Sequence, residues 1–96
     1  MNPMIKSNEY FEGKVRSLAF ENQDGPATVG VMLPGDYTFG TSTPETMRVI
    51  SGLLQVKLPG ADRFADYGPG SSFSVAAGTS FDLKVPVASA YLCFYS

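Results

Sequence analysis

The chain contains no histidine, no tryptophan and a single cysteine among its 96 residues. Without imidazole it can build no Ser-His-Asp triad, no Cys-His dyad and no histidine-ligated metal centre. Acid–base chemistry therefore falls to carboxylates, tyrosines or lysines. Cys93 has no partner for an internal disulfide and lies in the apolar run Ala90-Tyr91-Leu92-Cys93-Phe94-Tyr95, where a thiol behaves as a small hydrophobe rather than a nucleophile. No apolar run approaches the roughly 18 residues that cross a bilayer, and the first ten residues lack the apolar core of a signal peptide. The expectation is a cytoplasmic protein with no membrane partner. Basic charge is also scarce: seven Lys plus Arg stand against nine Asp plus Glu, for a net charge of -2 and an isoelectric point near 4.8. No positive field exists to attract a phosphate backbone, so nucleic acid is not an expected partner.

Apolar residues make up 44% of the chain and charged residues 17%, a globular rather than a disordered composition. The length accommodates one domain, residues 1–96. A monomer this small buries only about 60 to 65% of its unfolded surface, which makes a homodimer the expected state.

Ten glycines and seven prolines punctuate the sequence. Turns are expected at Asp24-Gly25-Pro26, Pro34-Gly35-Asp36, Pro59-Gly60, Gly68-Pro69-Gly70 and Ala77-Gly78. Between them lie strand-like runs: Lys14 to Phe20, Thr28 to Leu33, Tyr37 to Thr41, Met47 to Leu58, Ser72 to Val75, Phe81 to Val85 and Ala90 to Tyr95. Strict alternation in Phe81-Asp82-Leu83-Lys84-Val85 and Leu54-Gln55-Val56-Lys57-Leu58 gives each one apolar and one polar face. Only Thr43 to Met47 has room for a short helical turn. Strands and turns without helices predict an all-β sandwich or barrel.

The most specific pattern is Gly35, Tyr37-Thr38-Phe39, Glu45 and, after six intervening residues, Gly52. It resembles the first cupin motif, Gly-x5-His-x-His-x3or4-Glu-x6-Gly, with the stretch before Glu45 about two residues short. Gly70, Ala76, Gly78 and Phe81 resemble the second motif, with Phe81 standing where that motif carries its metal histidine. The resemblance implies a single-domain, conical cupin-type β-barrel, or jelly roll. Of the four cupin metal ligands only the glutamate remains, so no metal is expected.

The segments SNEYFEGKV, GDYTFGTSTPETMRVISG, LPGADRF, GSSFSV and SAYLCFYS together resemble the small bacterial pyrimidine/purine nucleoside phosphorylases of cupin fold, over nearly the whole chain. That resemblance implies an enzyme taking a nucleoside and inorganic phosphate to free base and pentose 1-phosphate, with purine and pyrimidine nucleosides both accepted. Phosphate is then a co-substrate and no cofactor is needed. A non-catalytic cupin that binds a sugar or nucleoside is the alternative, because fold does not dictate reaction. An isomerase or epimerase ranks third, lacking a clear acid–base pair.

Phosphorolysis of an N-glycosidic bond develops oxocarbenium character, as glycoside hydrolysis does. The site must therefore hold phosphate, support positive charge and help the base depart. Glu45, aimed into the barrel by the cupin register, is the candidate catalytic residue; it could bind sugar hydroxyls, stabilise the cation or, when protonated, assist the base. Its competing role is a structural carboxylate. Tyr37, Phe39 and Thr41 alternate on one strand and share a face, which would let aromatic rings stack on either class of base. Core packing competes for all three, and most strongly for Phe39. Arg48 suits bidentate phosphate binding, but three residues from Glu45 on one strand it points to the opposite face. Lys14, Arg16 and the hydroxyls of Ser42 and Thr43 are further phosphate candidates. Phe81 and Tyr91 on later strands complete the candidate substrate-binding set, Phe81 leaning to core. Gly68-Pro69-Gly70-Ser71-Ser72 lacks the spacing and the following helix of a phosphate-binding loop.

Overall fold

The computed structural model describes residues 5–95. Ten strands follow one another: β1 (Lys6–Tyr10), β2 (Val15–Asn22), β3 (Gly25–Met32), β4 (Gly35–Gly40), β5 (Glu45–Ser51), β6 (Leu54–Lys57), β7 (Ala65–Tyr67), β8 (Ser72–Val75), β9 (Ser80–Val85) and β10 (Ser89–Tyr95), with a 3₁₀ turn at Phe11–Gly13. They form a six-stranded sheet in the order β1-β2-β3-β10-β5-β8 and a four-stranded sheet in the order β4-β9-β6-β7. Every strand pairing is antiparallel.

Alternation decides which side chains meet between the sheets. Phe81, Leu83 and Val85 of β9, Leu54 and Val56 of β6, Met47 and Val49 of β5 and Phe73 and Val75 of β8 are all buried, and they share one apolar cluster with Tyr91 and Cys93 of β10. Asp82 and Lys84 fall on the other face of β9, as the two-residue period requires. At about 25 cal/mol per Å² this shared burial is the main favourable contribution to folding.

Two departures from the sequence expectation concern local geometry. Thr43 to Met47 forms no helical turn: Glu45 to Met47 already belong to β5, where they pair with β10 and β8. Cross-strand hydrogen bonds on both sides outweigh the weak preference of one isolated turn. The run Met47 to Leu58 is not one strand but two, broken at Gly52 (φ +91°). A Cβ at Gly52 would lie 2.8 Å from the Cα of Ser89, so only glycine fits. The Ser89 hydroxyl secures that turn, accepting from the Leu53 N–H at 3.0 Å and donating to the Val87 carbonyl at 2.8 Å. Strands β1 and β7 were absent from the sequence reading, because polar Lys6–Tyr10 and the three residues of β7 carry little alternation signal.

Candidate functional site

Between the sheets lies a cavity of about 200 Å³ that opens at one end. Its walls differ in chemistry. The six-stranded sheet contributes Ser17, Met32, Glu45, Met47, Tyr91, Cys93 and Tyr95; the four-stranded sheet contributes Phe39, Gly40 and Phe81; and Tyr10 of β1 stands at the rim.

Register explains how the polar wall assembles. Glu45 is directly opposite Tyr95, and Met47 opposite Cys93; Glu45 and Cys93 are thus diagonal neighbours on one face. The Cys93 thiol donates to Glu45 Oε1 at 3.5 Å. The Tyr95 and Thr28 hydroxyls, 3.0 Å apart, pair behind them. One row further along, Ser17, Gly30 and Tyr91 lie side by side across β2, β3 and β10. The missing side chain at Gly30 leaves room for the Tyr91 ring: a Cβ there would sit 2.5 Å from the Tyr91 phenol.

Burial disfavours the charged form of each of the titratable groups Glu45, Tyr91, Cys93 and Tyr95 on this wall. Burial pushes the Glu45 carboxyl up from its ordinary value, against the opposing pull of the hydrogen bond from the Cys93 thiol. Burial and the neighbouring Glu45 charge push the Cys93 thiol up to about 12, so it is a hydrogen-bond donor and not a nucleophile. Tyr91, raised to about 12 mainly by burial, likewise remains a neutral phenol, and burial raises Tyr95 as well. A carboxyl raised by burial and bonded to a neutral thiol is suited to hold and deliver a proton.

On the opposite wall Phe39 and Phe81 face each other across β4 and β9, stacked with centroids 6.0 Å apart. Tyr37 shares the inward face of β4 with Phe39 but does not reach this cavity. Tyr37 is buried, but its hydroxyl donates to the Leu33 carbonyl at 2.6 Å, and it lines a separate shallow groove with Phe11, Phe64 and Lys84. Thr41 also lies outside the cavity lining. Its hydroxyl donates to the Ala76 carbonyl at 2.6 Å and accepts the Thr79 N–H at 3.1 Å, binding the end of β4 to the β8–β9 turn.

Of the sequence candidates, Glu45, Phe39, Phe81 and Tyr91 converge on the cavity, whereas Tyr37, Thr41 and Arg48 do not. Arg48 pairs with Leu92 and Ser72 on the outer face of its sheet, exposed, as its odd spacing from Glu45 dictates. Tyr10, Ser17, Cys93 and Tyr95 were missed. Alternation from Tyr91 would have found Cys93 and Tyr95; Tyr10 carried no comparable signal.

The cavity offers no set of ligands for a transition metal. One carboxyl, a protonated thiol and phenols lack the imidazoles such ions prefer, and among the described residues no three His, Cys, Asp or Glu converge. Among those residues, too, no helix is long and apolar enough to cross a membrane.

Residues 5–95 match the pyrimidine/purine nucleoside phosphorylase family. A protein of that name from Pseudomonas entomophila is 59% identical over 92 residues, covering 96% of this chain and 98% of the relative; one from Magnetococcus marinus is 56% identical, covering 96% and 99%. A crystal structure of a Vibrio parahaemolyticus protein of unknown function superposes with a TM-score of 0.89 at 52% identity, covering 95% of this chain and 97% of that one. An RmlC-like cupin from Shewanella frigidimarina superposes with a TM-score of 0.73 at 13% identity, covering 96% and 83%. The fold is all-β and cupin-like, and the chain belongs to the pyrimidine/purine nucleoside phosphorylase family.

Proposed function

We propose that the protein is a broad-specificity phosphorylase, cleaving purine and pyrimidine nucleosides with inorganic phosphate to free base and pentose 1-phosphate. The observation that carries this reading is the pairing of a half-buried Glu45, its carboxyl raised by burial, with an aromatic wall across a small cavity. Family membership supplies the reaction class.

In the reaction the C1′–N bond breaks, its electron pair leaving with the base, while a phosphate oxygen forms the new bond to C1′. Protonated Glu45 supplies the proton the departing base takes up, and the elevated carboxyl keeps that proton available. Phe39, backed by the buried Phe81, provides a face for stacking, which tolerates any base because it reads no edges. Tyr91 and Tyr95 offer hydroxyls to the pentose. A pocket for a drug-sized ligand is typically about 300 to 1,000 Å³, so a nucleoside enters only part way and its remainder occupies the mouth.

Among the described residues, the cavity lining holds no lysine or arginine. Phosphate would then be held by hydroxyls of the lining such as those of Tyr10, Ser17 and Tyr91, beside a Glu45 that must be neutral to tolerate an anion. The reading includes no metal or other cofactor, and a cytoplasmic homodimer formed through the outer face of the six-stranded sheet, where Leu18, Phe20, Val31 and Ile50 are exposed. The same lack of a cation favours, as second reading, a module that binds a sugar or nucleoside without turnover.

The test is chromatography of free base after incubating the protein with uridine, cytidine, adenosine, guanosine, inosine and xanthosine, with and without phosphate and with and without chelator. Phosphate-dependent release that survives chelation supports the proposal. Retention of nucleoside without release supports the binding module.

A further inference from the structure

Two adjacent residues, Tyr10 at the cavity mouth and Phe11 in the neighbouring groove, break strand geometry. On an extended strand Tyr10 and Phe11 would point to opposite faces. Here both rings lie against Phe39, with centroids 6.3 Å and 5.4 Å away. The chain achieves this by leaving extended geometry: Phe11 and Glu12 have φ of +53° and +59°, followed by Gly13 at +87°. Left-handed backbone is costly for any side chain beyond Cβ, most of all for a bulky one, and such strain persists where surrounding contacts over-determine it. Those contacts are visible: Phe11 packs on Tyr37 at 4.9 Å, and Tyr37 is pinned by its hydroxyl to Leu33. Yet Tyr10 and Phe11 remain 44% and 42% exposed, so the strain does not serve to fill the core.

It sets a corner. The Tyr10 and Phe39 rings meet at 79°, at the rim of the cavity that contains Glu45. A planar heterocycle lodged there stacks on one ring and meets the other edge-on, the two arrangements aromatic pairs prefer. We propose that the Tyr10–Gly13 bend is the nucleobase subsite of the cavity, with Tyr10 and Phe39 contacting the base and Phe11, seated on Tyr37, positioning Tyr10. The inference rests on the nucleoside reading above and orients the substrate within it: base at the rim, pentose against Glu45. A corner that recognises flatness and not hydrogen-bonding edges admits purines and pyrimidines alike.

The experiment uses both directions of the reaction. In the synthetic direction the base and ribose 1-phosphate are separate substrates, so base contacts are read apart from sugar contacts. Tyr10→Ala is expected to raise KM for uracil and adenine about tenfold, in line with the loss of one stacking partner, while KM for ribose 1-phosphate and kcat stay within a factor of three. Phe11→Ala should reproduce that pattern, and Phe11→Tyr should restore the wild-type values. An unchanged KM for both bases in Tyr10→Ala, or an equal rise for ribose 1-phosphate, overturns the subsite. If the wild-type protein turns over no nucleoside, the phosphorylase reading fails separately; equilibrium dialysis of uracil and adenine then decides the subsite, since tenfold weaker binding to Tyr10→Ala supports it and equal binding refutes it.

Discussion

The two walls of the cavity follow one rule of strand alternation and reach opposite chemistries. On β4 and β9 every inward position near the cavity is apolar, and the outward positions Thr38 and Asp82 hydrogen-bond each other at 2.8 Å. On β5 and β10 the inward positions include, beside Met47 and Val49, the polar groups Glu45, Cys93, Tyr91 and Tyr95, which need partners when buried. They have them: among the described residues no buried side-chain polar atom lacks a partner. The difference separates two kinds of contribution. The aromatic wall stabilises the fold and offers an unselective surface, whereas the polar wall holds protons in defined places. Substitutions on the first should change stability and KM; substitutions on the second should change kcat and its pH dependence.

The largest effect is expected at Glu45. Glu45→Gln retains the size of the side chain and removes the transferable proton, and general acid catalysis is typically worth about 10²- to 10⁴-fold; kcat for uridine phosphorolysis should fall by that order. The pH dependence has a definite sign. Because the folded-state carboxyl is raised by burial, the native protein holds its proton more tightly than the unfolded chain does. The stability associated with neutral Glu45 is therefore fully present below the unfolded value and is lost as pH rises through the folded one. Wild-type kcat should decline across the same window. Thermal melts of Glu45→Gln from pH 4 to 8 should show less alkaline loss than wild type, and a variant with wild-type kcat would make the carboxyl structural.

Phe81→Ala sharpens the contrast from the other wall. Phe81 is 3% exposed and packs on Phe39 and Phe73, so truncation should cost about 3 to 5 kcal/mol, read from urea unfolding. In the fraction that folds, kcat should move less than KM. A variant with wild-type stability and a hundredfold lower kcat would erase the division between the walls.

A smaller effect is expected at Gly30, which joins packing to the polar wall. A methyl group there would displace the Tyr91 phenol, and overpacking of this kind typically costs about 1 to 3 kcal/mol. Gly30→Ala should lower the melting temperature and also reduce turnover, because the displaced ring moves into the cavity. Unchanged turnover in a destabilised protein would place Tyr91 in the core alone.

These residues were unequally legible in the sequence. Alternation gave the inward faces of β6 and β9, and the Glu45 to Gly52 spacing located the carboxyl, whereas the turn at Gly52 lay hidden inside the apolar run Met47 to Leu58, which reads as one strand. The parity of Arg48 relative to Glu45 already placed it on the opposite face. What the sequence hid was relational. Tyr37 and Thr41 alternate correctly with Phe39, yet hydrogen bonds to Leu33, Ala76 and Thr79 take them elsewhere, and those partners are fixed only by tertiary pairing. Cys93 read correctly as buried, but its bond to Glu45 depends on the register of β5 against β10. Tyr10 lies on a strand too polar to signal itself, and its approach to Phe39 depends on backbone angles that Phe11 and Glu12 rarely adopt.

That last point yields the smallest prediction, at Glu12. Its φ of +59° and ψ of +34° lie in the left-handed region, which costs a residue with a Cβ roughly 1 to 2 kcal/mol relative to its right-handed alternative, while glycine enters it freely. Glycine also adds freedom to the unfolded chain, which offsets part of the gain. Glu12→Gly should therefore raise stability by about 1 kcal/mol or less, a shift of a few degrees in melting temperature for a domain of this size. Because Glu12 is exposed and outside the cavity lining, KM for nucleosides should hold as long as Phe11 stays seated on Tyr37. A stabilised protein with a raised KM would show instead that the strained backbone itself, and not only the Phe11 ring, positions Tyr10 at the rim.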